Sequence, residues 1–310
     1  MNKVTVFGSY VMDLTVLAPH VPTVGETVFS GPFKMGPGGK GFNQAVAAQK
    51  AGSEVVFMTK IGKDIFAPFV KNAFDRFKIS KEYLLESETS KTGVALIVVN
   101  ETNGNNAIAV APEACNEILV EEVKNHEQIF KSCDVFLTQF EANLEATYEA
   151  IKIAKESGAI VILNPAPVKE FNRKILDYVD ILIPNEIEAS LIADVPLDGM
   201  NSIYKIASEL EDKVETVVIT LGEKGVFCSN ISEKVIPVVE VDTIDTTGAG
   251  DAFAGIFASY LSRGHSLRDA IDYARVGAAI STTRFGTSPS MPTKEEIESK
   301  YHEISRSEFV

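Results

Sequence analysis

The segment DTTGAGDAF, at residues 245–253, leads directly into a helical run that ends near Ser262. Two glycines flank one alanine before this run, and glycine permits backbone geometries that turn several successive N–H groups toward one point. The first amides of a helix have no partner within it, and the helix dipole places partial positive charge beside them. The segment therefore predicts a helix whose first turn can hold an anion.

Asp251 lies at this turn. A phosphoryl group in transfer spreads its negative charge over several oxygens, which suits such a set of N–H donors. A carboxylate next to it can accept the proton of an attacking hydroxyl and orient that hydroxyl toward the phosphorus. The same residues also fit a plain helix start in which Asp251 is only a first-turn acid. The segment by itself leaves both interpretations open.

Along the rest of the chain, short β-rich runs alternate with longer helical stretches. The predicted strands cover residues 4–7, 55–59, 135–138, 160–163, 180–183 and 216–220. The predicted helices between them cover residues 41–50, 66–77, 144–157, 186–193 and 203–210. This alternation is typical of an α/β fold, in which a mostly parallel central sheet is flanked by helices.

Two regions break this alternation. Residues 11–34 alternate in polarity without a helix and contain several prolines and glycines. Residues 94–99 and 107–111 are β-rich runs around Asn103-Gly104-Asn105-Asn106, a favourable hairpin turn. Neither region has a crossover helix, so we predict antiparallel strands that leave the main sheet and form a small β-sheet lid, at about residues 11–37 and 92–112. Because no repeat or linker interrupts the chain, we expect a single domain over residues 1–310 with this lid inserted in it.

The composition limits the kinds of partner that the protein can bind. The 310 residues are 45% apolar and 23% charged, which is enough for a large core, and the net charge of −14 argues against a nucleic-acid surface. No apolar run approaches the roughly 18 residues that span a membrane, and the first residues alternate like a strand rather than a signal peptide. The three cysteines are odd in number and far apart, which is typical of reduced thiols, and the four histidines are too dispersed for a zinc site. We expect a cytoplasmic protein that acts on small molecules.

A second glycine cluster, GPGGKGFNQ at residues 36–44, precedes a helix of small residues. Its glycines permit close approach of a ligand to the backbone, and Lys40 and Asn43 offer donors to sugar hydroxyls. It is not a Walker A loop, because Gly41 stands where that motif requires Ser or Thr. The first strand is likewise followed by residues that lack dinucleotide-binding spacing. By itself the cluster is more typical of a mobile turn than of a site.

Taken together and in this order, the two glycine segments resemble the ribokinase branch of the PfkB carbohydrate kinases. The resemblance covers nearly the whole chain and includes further motifs: Gly8-Ser9 with Asp13, Gly25-Glu26-Thr27, Thr92-Gly93-Val94-Ala95, Asn164-Pro165-Ala166-Pro167, Asn185 with Glu188, and Thr220-Leu221-Gly222. It implies a ribokinase-like α/β fold with a β-sheet lid. It also implies transfer of the γ-phosphoryl group of ATP to the 5-hydroxyl of a pentose, D-ribose or 2-deoxy-D-ribose.

The resemblance implies a role for each matching residue. Asp251 is implied as the base on the sugar hydroxyl, in a turn where Gly248, Ala249 and Gly250 form an anion hole. The implied sugar site comprises Asp13, Gly39, Lys40, Asn43, the nearby Glu141 and the position held by Val11. The implied ATP site comprises Asn185, Thr220, Gly222, Gly225, the anion-hole residues Ala249 and Gly250, and Glu188 acting on hydrated Mg²⁺.

A monovalent cation and a homodimer are further implications of the resemblance. Asp245 and Ser290 would offer oxygens to a K⁺-like ion, and carbonyls would come from Thr247 and from a loop over residues 281–286 that contains Ser281, Arg284 and Gly286. Carbonyl-rich coordination suits such an ion, which would order the anion hole indirectly. Asp245 as a turn residue and Ser290 as a helix cap stay open as alternatives. The exposed edges of the lid favour pairing of two lids in a homodimer.

The chain departs from the ribokinase pattern at Val11, where ribokinases place an asparagine that contacts the sugar. An apolar side chain cannot hydrogen-bond a hydroxyl, and burying the 2-hydroxyl of ribose against it would cost about 1–3 kcal/mol. We therefore expect 2-deoxy-D-ribose to be accepted well, with ribose disfavoured by a factor of about a hundred or less. The alternative that Val11 only packs stays open. Pro37 and the bulky Phe42 are further departures that shape the sugar pocket without identifying the sugar.

Two other functions remain open. A related kinase would act on a nucleoside or a ketohexose, which requires only a differently shaped pocket. A non-catalytic sugar-binding regulator would keep the fold without the chemistry. The presence of Asp251, Asn185 and Glu188 argues against this regulator, because a protein that only binds a sugar needs no base.

Overall fold

The computed structural model describes residues 2–102 and 106–307. The strands are β1 (Lys3–Phe7), β2 (Val11–Ala18), β3 (Phe33–Gly38), β4 (Glu54–Gly62), β5 (Leu84–Ser87), β6 (Gly93–Asn100), β7 (Asn106–Ala111), β8 (Val135–Gln139), β9 (Ile160–Asn164), β10 (Ile181–Leu182), β11 (Thr216–Thr220), β12 (Val226–Cys228) and β13 (Val235–Ile236). The α-helices are α1 (Lys40–Lys50), α2 (Ala67–Arg76), α3 (Val120–Asn125), α4 (Glu127–Lys131), α5 (Leu144–Glu156), α6 (Glu186–Ala193), α7 (Gly199–Glu211), α8 (Ala249–Ser262), α9 (Leu267–Thr282) and α10 (Lys294–Ser307).

The main sheet has nine strands in the order β13-β12-β11-β10-β9-β8-β1-β4-β5. From β11 to β5 the neighbouring strands run parallel, and only β12 and β13 add antiparallel pairs at one edge. Alternate residues of the strands point to opposite faces, so Val6 packs in one apolar core with α1, α8 and α9, while Phe7 packs in a second core with α5 and α7. This arrangement confirms the predicted α/β fold with a mostly parallel sheet between helices.

The smaller sheet has four strands in the order β3-β2-β6-β7 and corresponds to the predicted lid. Its outer pairs, β2 with β3 and β6 with β7, are antiparallel as predicted. Its central pair, β2 with β6, is parallel from Val11 opposite Gly93 to Ala18 opposite Asn100, so the prediction of purely antiparallel strands is wrong there. The reason is topological, because β2 and β6 leave the same ends of two parallel strands, β1 and β5. The predicted turn residues Asn103, Gly104 and Asn105 lie outside the described residues.

Several boundaries differ from the predicted ones. The helix expected at residues 203–210 begins earlier, at Gly199, and the strand expected at residues 180–183 is reduced to Ile181–Leu182. The strands β5, β12 and β13 and the helices α3, α4, α9 and α10 are additions to the predicted elements. Among the residues that the structure describes, no helix is both long enough and apolar enough to cross a bilayer.

Helices α1 and α8 pack closely beside the sheet, and this packing positions the site. A Cβ atom on Gly255 of α8 would lie 2.3 Å from the carbonyl oxygen of Gln44 and 2.7 Å from Cβ of Ala47. Only glycine at this position allows the two helix backbones to approach so closely. As a result, the first turns of α1 and α8 lie side by side at the carboxyl ends of β1, β8 and β9.

Candidate active site

Asp251 lies in the first turn of α8 and is only 7% exposed. The helix begins after Gly248, whose φ of 80° lies in the left-handed region that favours glycine. The N–H of Ala249 donates to the carbonyl of Thr246 at 3.2 Å, which occupies one amide of the predicted anion hole. Apart from its own helix backbone and chain neighbours, no described atom lies within 4 Å of a Cβ built on Gly250, so the helix end is open at that residue.

Two amide side chains of α1 hold the Asp251 carboxylate. Asn43 donates from Nδ2 to Oδ2 at 3.0 Å, and Gln44 donates from Nε2 to Oδ1 at 3.0 Å. Asn43 is held in turn by Ser288, whose hydroxyl donates to its Oδ1 at 2.6 Å. The sequence predicts Asn43 as a sugar-binding residue. Since one N–H of its amide is taken by Asp251, the other is the donor that remains for a ligand.

The other predicted sugar residues gather around the start of α1. Asp13 of the lid strand β2 faces Gly38, where a Cβ would lie 2.0 Å from Oδ1 of Asp13, so Gly38 leaves the space that this carboxylate occupies. Glu141 accepts from the hydroxyl of Ser9 at 2.5 Å and from the backbone N–H of Lys40 at 2.9 Å. These contacts bring the lid, the glycine cluster and the end of β8 to one place.

The charges at this place influence one another. Burial raises the pKa of the Asp13 carboxyl to about 7, and the negative charges of Glu141 and Asp251 act in the same direction. For Lys40, burial opposes the charged form, but the carboxylates of Asp251, Glu141 and Glu188 prevail and raise the pKa of its ammonium group. The Lys40 side chain therefore stays protonated among these carboxylates, whereas the Asp13 carboxyl loses its proton near neutral pH.

A cleft runs from Asp251 toward the ends of β9, β10 and β11. Its lining residues include Lys40, Asn164, Asn185, Glu188, Thr220, Gly248, Ala249, Gly250 and Asp251. Asn185 precedes α6 and forms a reciprocal cap with Glu188: its Oδ1 accepts from the Glu188 N–H at 2.8 Å, and its own N–H donates to Oε2 of Glu188 at 2.9 Å. Gly222 and Gly225 lie in the short turn after β11. The predicted base and phosphate-binding residues thus share one cleft.

The predicted cation residues are brought together only in part. The Asp245 carboxylate joins two segments, because Oδ1 accepts from the Thr247 N–H at 2.9 Å and Oδ2 accepts from the Gly286 N–H at 3.0 Å. Ser290 lies in the following turn and donates its hydroxyl to the carbonyl of Thr287 at 2.7 Å. These contacts agree with the turn-stabilising alternative for Asp245.

One detail of the predicted cation loop is wrong. Residues 281–286 do not form a loop throughout, because α9 continues through Thr282 and Ser281 donates its hydroxyl to the carbonyl of Ala278 within that helix. The guanidinium of Arg284 pairs with the carboxylate of Glu296 in α10, so this side chain is directed to another helix. A cation also repels a guanidinium, which leaves only backbone atoms of Arg284 as possible ligands.

Val11 is buried in the lid. Its side chain is 2% exposed and packs with Ala95 and Ile97, and a Cβ on Gly93 would lie 2.9 Å from its Cγ1. Val11 and Asp13 are two residues apart on β2 and so share one face of the strand. Val11 therefore packs in an apolar cluster on the same lid face as Asp13, and a contact of this cluster with the sugar stays a prediction.

Four polar residues of the site have no role assigned from the sequence: Gln44, Gln139, Asn164 and Ser288. Gln139 and Asn164 end the largely buried strands β8 and β9. A polar residue at the carboxyl end of a buried parallel strand is a recognisable signal, because ligands bind at that edge of such sheets. Gln44 and Ser288 carry no comparable signal and are recognised only from their contacts.

Known proteins resemble this chain over nearly its whole length. The model of the pfkB family carbohydrate kinase matches residues 1–294. The chain is 36% identical to the deoxyribokinase of Salmonella typhi over 297 residues, which cover 95% of this chain and 97% of that protein. It is 37% identical to the ribokinase of Haemophilus influenzae, again over 297 residues, with 95% and 97% covered. Its fold matches the structure of Arabidopsis thaliana ribokinase complexed with ribose and ATP, with a TM-score of 0.89 and 26% identity over 97% of this chain and 98% of that one.

Proposed function

Because the chain belongs to the pfkB family of carbohydrate kinases, as its motifs predicted, we propose that it transfers the γ-phosphoryl group of ATP to the 5-hydroxyl of a pentose. One observation carries this proposal: the Asp251 carboxylate is held by two amides at the open end of α8, beside a cleft that also contains Lys40, Asn185 and Glu188. The names of the related ribokinases and the deoxyribokinase support a pentose as the acceptor.

The proposed chemical step is a direct transfer of the γ-phosphoryl group to the 5-hydroxyl. The 5-hydroxyl gives its proton to Asp251 as its oxygen forms a bond to the γ-phosphorus. The bond between this phosphorus and the β,γ-bridging oxygen breaks, and its electron pair leaves with ADP. The amides at the start of α8, with Gly250 the open one, face the transferring oxygens, and the Lys40 ammonium lowers the local negative charge. Positioning and electrostatic stabilisation carry most of the catalysis.

The cleft residues proposed to face the phosphates of ATP fit Mg²⁺. This ion keeps several waters and is bound through one or two carboxylates and the substrate phosphates. Glu188 supplies a single carboxylate at the cleft, and the cap with Asn185 uses only its Oε2. When bound, Mg²⁺ would neutralise charge on the phosphates, and Glu188 would hold its water shell while Asn185 orients that carboxylate.

The segments joined by Asp245 fit a monovalent cation such as K⁺. The residues that would hold it are Asp245, through its carboxylate, and the neighbouring backbone carbonyls, with the Ser290 hydroxyl as an additional oxygen. When bound, the ion would add positive charge beneath the anion hole. Asp245 itself ties Thr247, one residue before Gly248, to Gly286, and so fixes the turn that opens α8.

The apolar lid face favours a deoxy sugar. Val11, Ala95 and Ile97 lie together beside Asp13, and none of these apolar side chains can accept or donate a hydrogen bond. A sugar hydroxyl directed at this cluster loses its water without a partner, which disfavours ribose relative to 2-deoxy-D-ribose. We propose 2-deoxy-D-ribose as the better substrate and D-ribose as a weaker one.

The lid supports assembly as a homodimer. Phe33 and Met35 of β3, Leu96 of β6 and Ile108 and Val110 of β7 are between 45% and 57% exposed. Apolar side chains on open sheet edges and faces are typical of surfaces that pair with another chain. We propose that two lids cover each other, with each lid inserted in a single domain that comprises residues 1–310.

The cysteines support a reducing compartment. Cys115, Cys133 and Cys228 are buried free thiols, and burial raises the pKa of the Cys133 and Cys228 thiols to about 11, which keeps them protonated. We propose that the protein works in the cytoplasm, with a sugar and ATP as its small-molecule partners.

A coupled assay of ADP release tests the function. D-ribose, 2-deoxy-D-ribose, D-fructose and adenosine are compared at equal ATP, with and without K⁺, and the product is identified by mass and by phosphorus NMR. The proposal predicts a pentose 5-phosphate as the main product, with a higher kcat/KM for 2-deoxy-D-ribose than for D-ribose. A higher kcat/KM for fructose or adenosine would overturn the pentose assignment, and a higher value for ribose would overturn the argument from Val11.

A further inference from the structure

The amide side chain of Gln44 is completely buried, and both its nitrogen and its oxygen have partners. Its Nε2 donates to Oδ1 of Asp251 at 3.0 Å and to Oδ1 of Asn164 at 3.0 Å. Its Oε1 accepts from Nε2 of Gln139 at 2.6 Å. Gln44 therefore links the carboxylate of Asp251 to the ends of two sheet strands, β8 and β9.

The hydrogen bonds of this chain of amides can run in one direction only. An ionised carboxylate accepts hydrogen bonds and donates none, so Gln44 must present its NH₂ group to Asp251. The carbonyl of Gln44 then faces Gln139, which must present its own NH₂ group. This leaves Oε1 of Gln139 buried without a hydrogen-bond partner among the described residues.

Oε1 of Gln139 is left unpartnered within the described part of the chain because the Asp251 carboxylate fixes the direction of the amide hydrogen bonds. A buried acceptor without a donor is costly, and natural cores avoid it. Gly8 lies against this oxygen, since a Cβ on Gly8 would lie 2.1 Å from it. The core thus contains an unsatisfied amide oxygen and a glycine that makes room for it, and the position of this oxygen follows from the direction that the Asp251 carboxylate imposes.

We infer that Gln44, with Gln139 behind it, is a positioning residue that fixes the orientation of the Asp251 carboxylate. The inference rests on the proposed function, in which Asp251 is the base. Asn43 and Gln44 together occupy one lone pair on each carboxylate oxygen. The group cannot rotate without losing both bonds, so its remaining lone pairs stay directed at the cleft.

The contact with Asn164 extends this role to the nucleotide side. Asn164 lines the cleft and donates from Nδ2 to the carbonyl of Ile183 at 2.7 Å. Ile183 is two residues before Asn185. The amide of Gln44 therefore holds Asp251 and the cleft residue Asn164 at a fixed separation. In-line phosphoryl transfer requires such fixed positions.

Replacing Gln44 by methionine gives the first test. Gln44→Met keeps the length of the side chain and removes both donors, and Gln49→Met is the matched control on the same helix. We expect Gln44→Met to lower kcat by about 10- to 100-fold, with the KM for ATP changed less than about threefold, because misplacement of a catalytic group affects the chemical step. Gln49→Met should retain the wild-type kcat.

Replacing Gln139 by glutamate gives a sharper test, since no hydrogen bond joins Gln139 directly to Asp251. In Gln139→Glu the introduced carboxylate, when ionised, attracts the NH₂ group of Gln44 and turns the carbonyl of Gln44 toward Asp251. When the introduced carboxyl is protonated, it can donate as the amide of Gln139 does, and the original direction returns. We therefore expect kcat of Gln139→Glu to fall as pH rises, along a limb that neither the wild type nor Gln139→Met shows.

Three outcomes separate the claims, with folding checked by circular dichroism and by the thermal shift that ATP induces. Loss of kcat in Gln44→Met together with the new pH limb in Gln139→Glu supports the inference. Wild-type kcat in Gln44→Met, or a flat pH profile in Gln139→Glu, overturns it while leaving the base assignment intact. Full turnover by Asp251→Asn overturns the base assignment itself.

Discussion

Nδ2 of Asn43 donates to Oδ2 of Asp251 at 3.0 Å, although the two residues are 208 positions apart in the chain. This bond joins α1, the helix that follows the lid strand β3, to α8, the helix that begins at the proposed anion hole. It connects the two glycine segments, each of which is ambiguous by itself. The hydroxyl of Ser288 extends the connection to the segment that follows Gly286.

Removing the Asn43 amide should impair the base and the sugar together. Asn43→Ala removes the donor to Asp251 and leaves the hydroxyl of Ser288 without its acceptor. We expect kcat to fall about tenfold or more and the KM for the sugar to rise, while the KM for ATP stays near its wild-type value. Steady-state kinetics with both substrates measure this, and Ser288→Ala, which removes only the outer bond, should have a smaller effect. An unchanged kcat in Asn43→Ala would contradict this account.

Sugar binding should depend on pH through Asp13. Burial and neighbouring carboxylates raise the pKa of the Asp13 carboxyl to about 7, so the free protein holds it protonated below and ionised above that pH. The ionised form accepts sugar hydroxyls on both oxygens through charge-assisted bonds, which the protonated form cannot do, so kcat/KM for the sugar should rise from about pH 6 to about pH 8. Asp13→Asn should lower kcat/KM and remove this rise. A wild-type profile that is flat across this range would contradict the prediction.

Two glycines of α8 should respond differently to alanine. Gly255→Ala places a Cβ 2.3 Å from the Gln44 carbonyl oxygen, so the free energy of unfolding should fall by about 1–3 kcal/mol. Gly250→Ala meets no described atom within 4 Å outside its own helix, so stability should be kept or slightly improved. Its methyl group would nevertheless stand at the proposed phosphoryl position and should lower kcat. Urea unfolding and steady-state kinetics measure both variants, and a fully active Gly250→Ala would contradict the proposed anion hole.

The strand and helix alternation and the site motifs could be predicted from the sequence, because they depend on local patterns. The parallel pairing of β2 with β6 could not, since it is decided by how two distant insertions leave the main sheet. The contacts of Gln44 and Gln139 escape prediction for a similar reason. Their partners come from α8, from the end of β9 and from each other, and a single amide residue in a buried element carries no periodicity.

Asp245 should control the response to K⁺. Its carboxylate holds the amides of Thr247 and Gly286, and Asp245→Ala removes both bonds and the negative charge. We expect this variant to lose most of its activity and any stimulation by K⁺. Initial rates are compared in potassium chloride and tetramethylammonium chloride at equal ionic strength. Stimulation equal to that of the wild type would contradict a cation site at Asp245.

The most direct measurement is single-turnover phosphoryl transfer by Asp251→Asn. The substitution keeps the shape of the side chain and removes its ability to accept the hydroxyl proton. With Asp251 as the base, the rate should fall by about 10²- to 10⁴-fold, while ATP binding measured by calorimetry stays close to that of the wild type. A single-turnover rate within a few fold of the wild type would contradict the central claim.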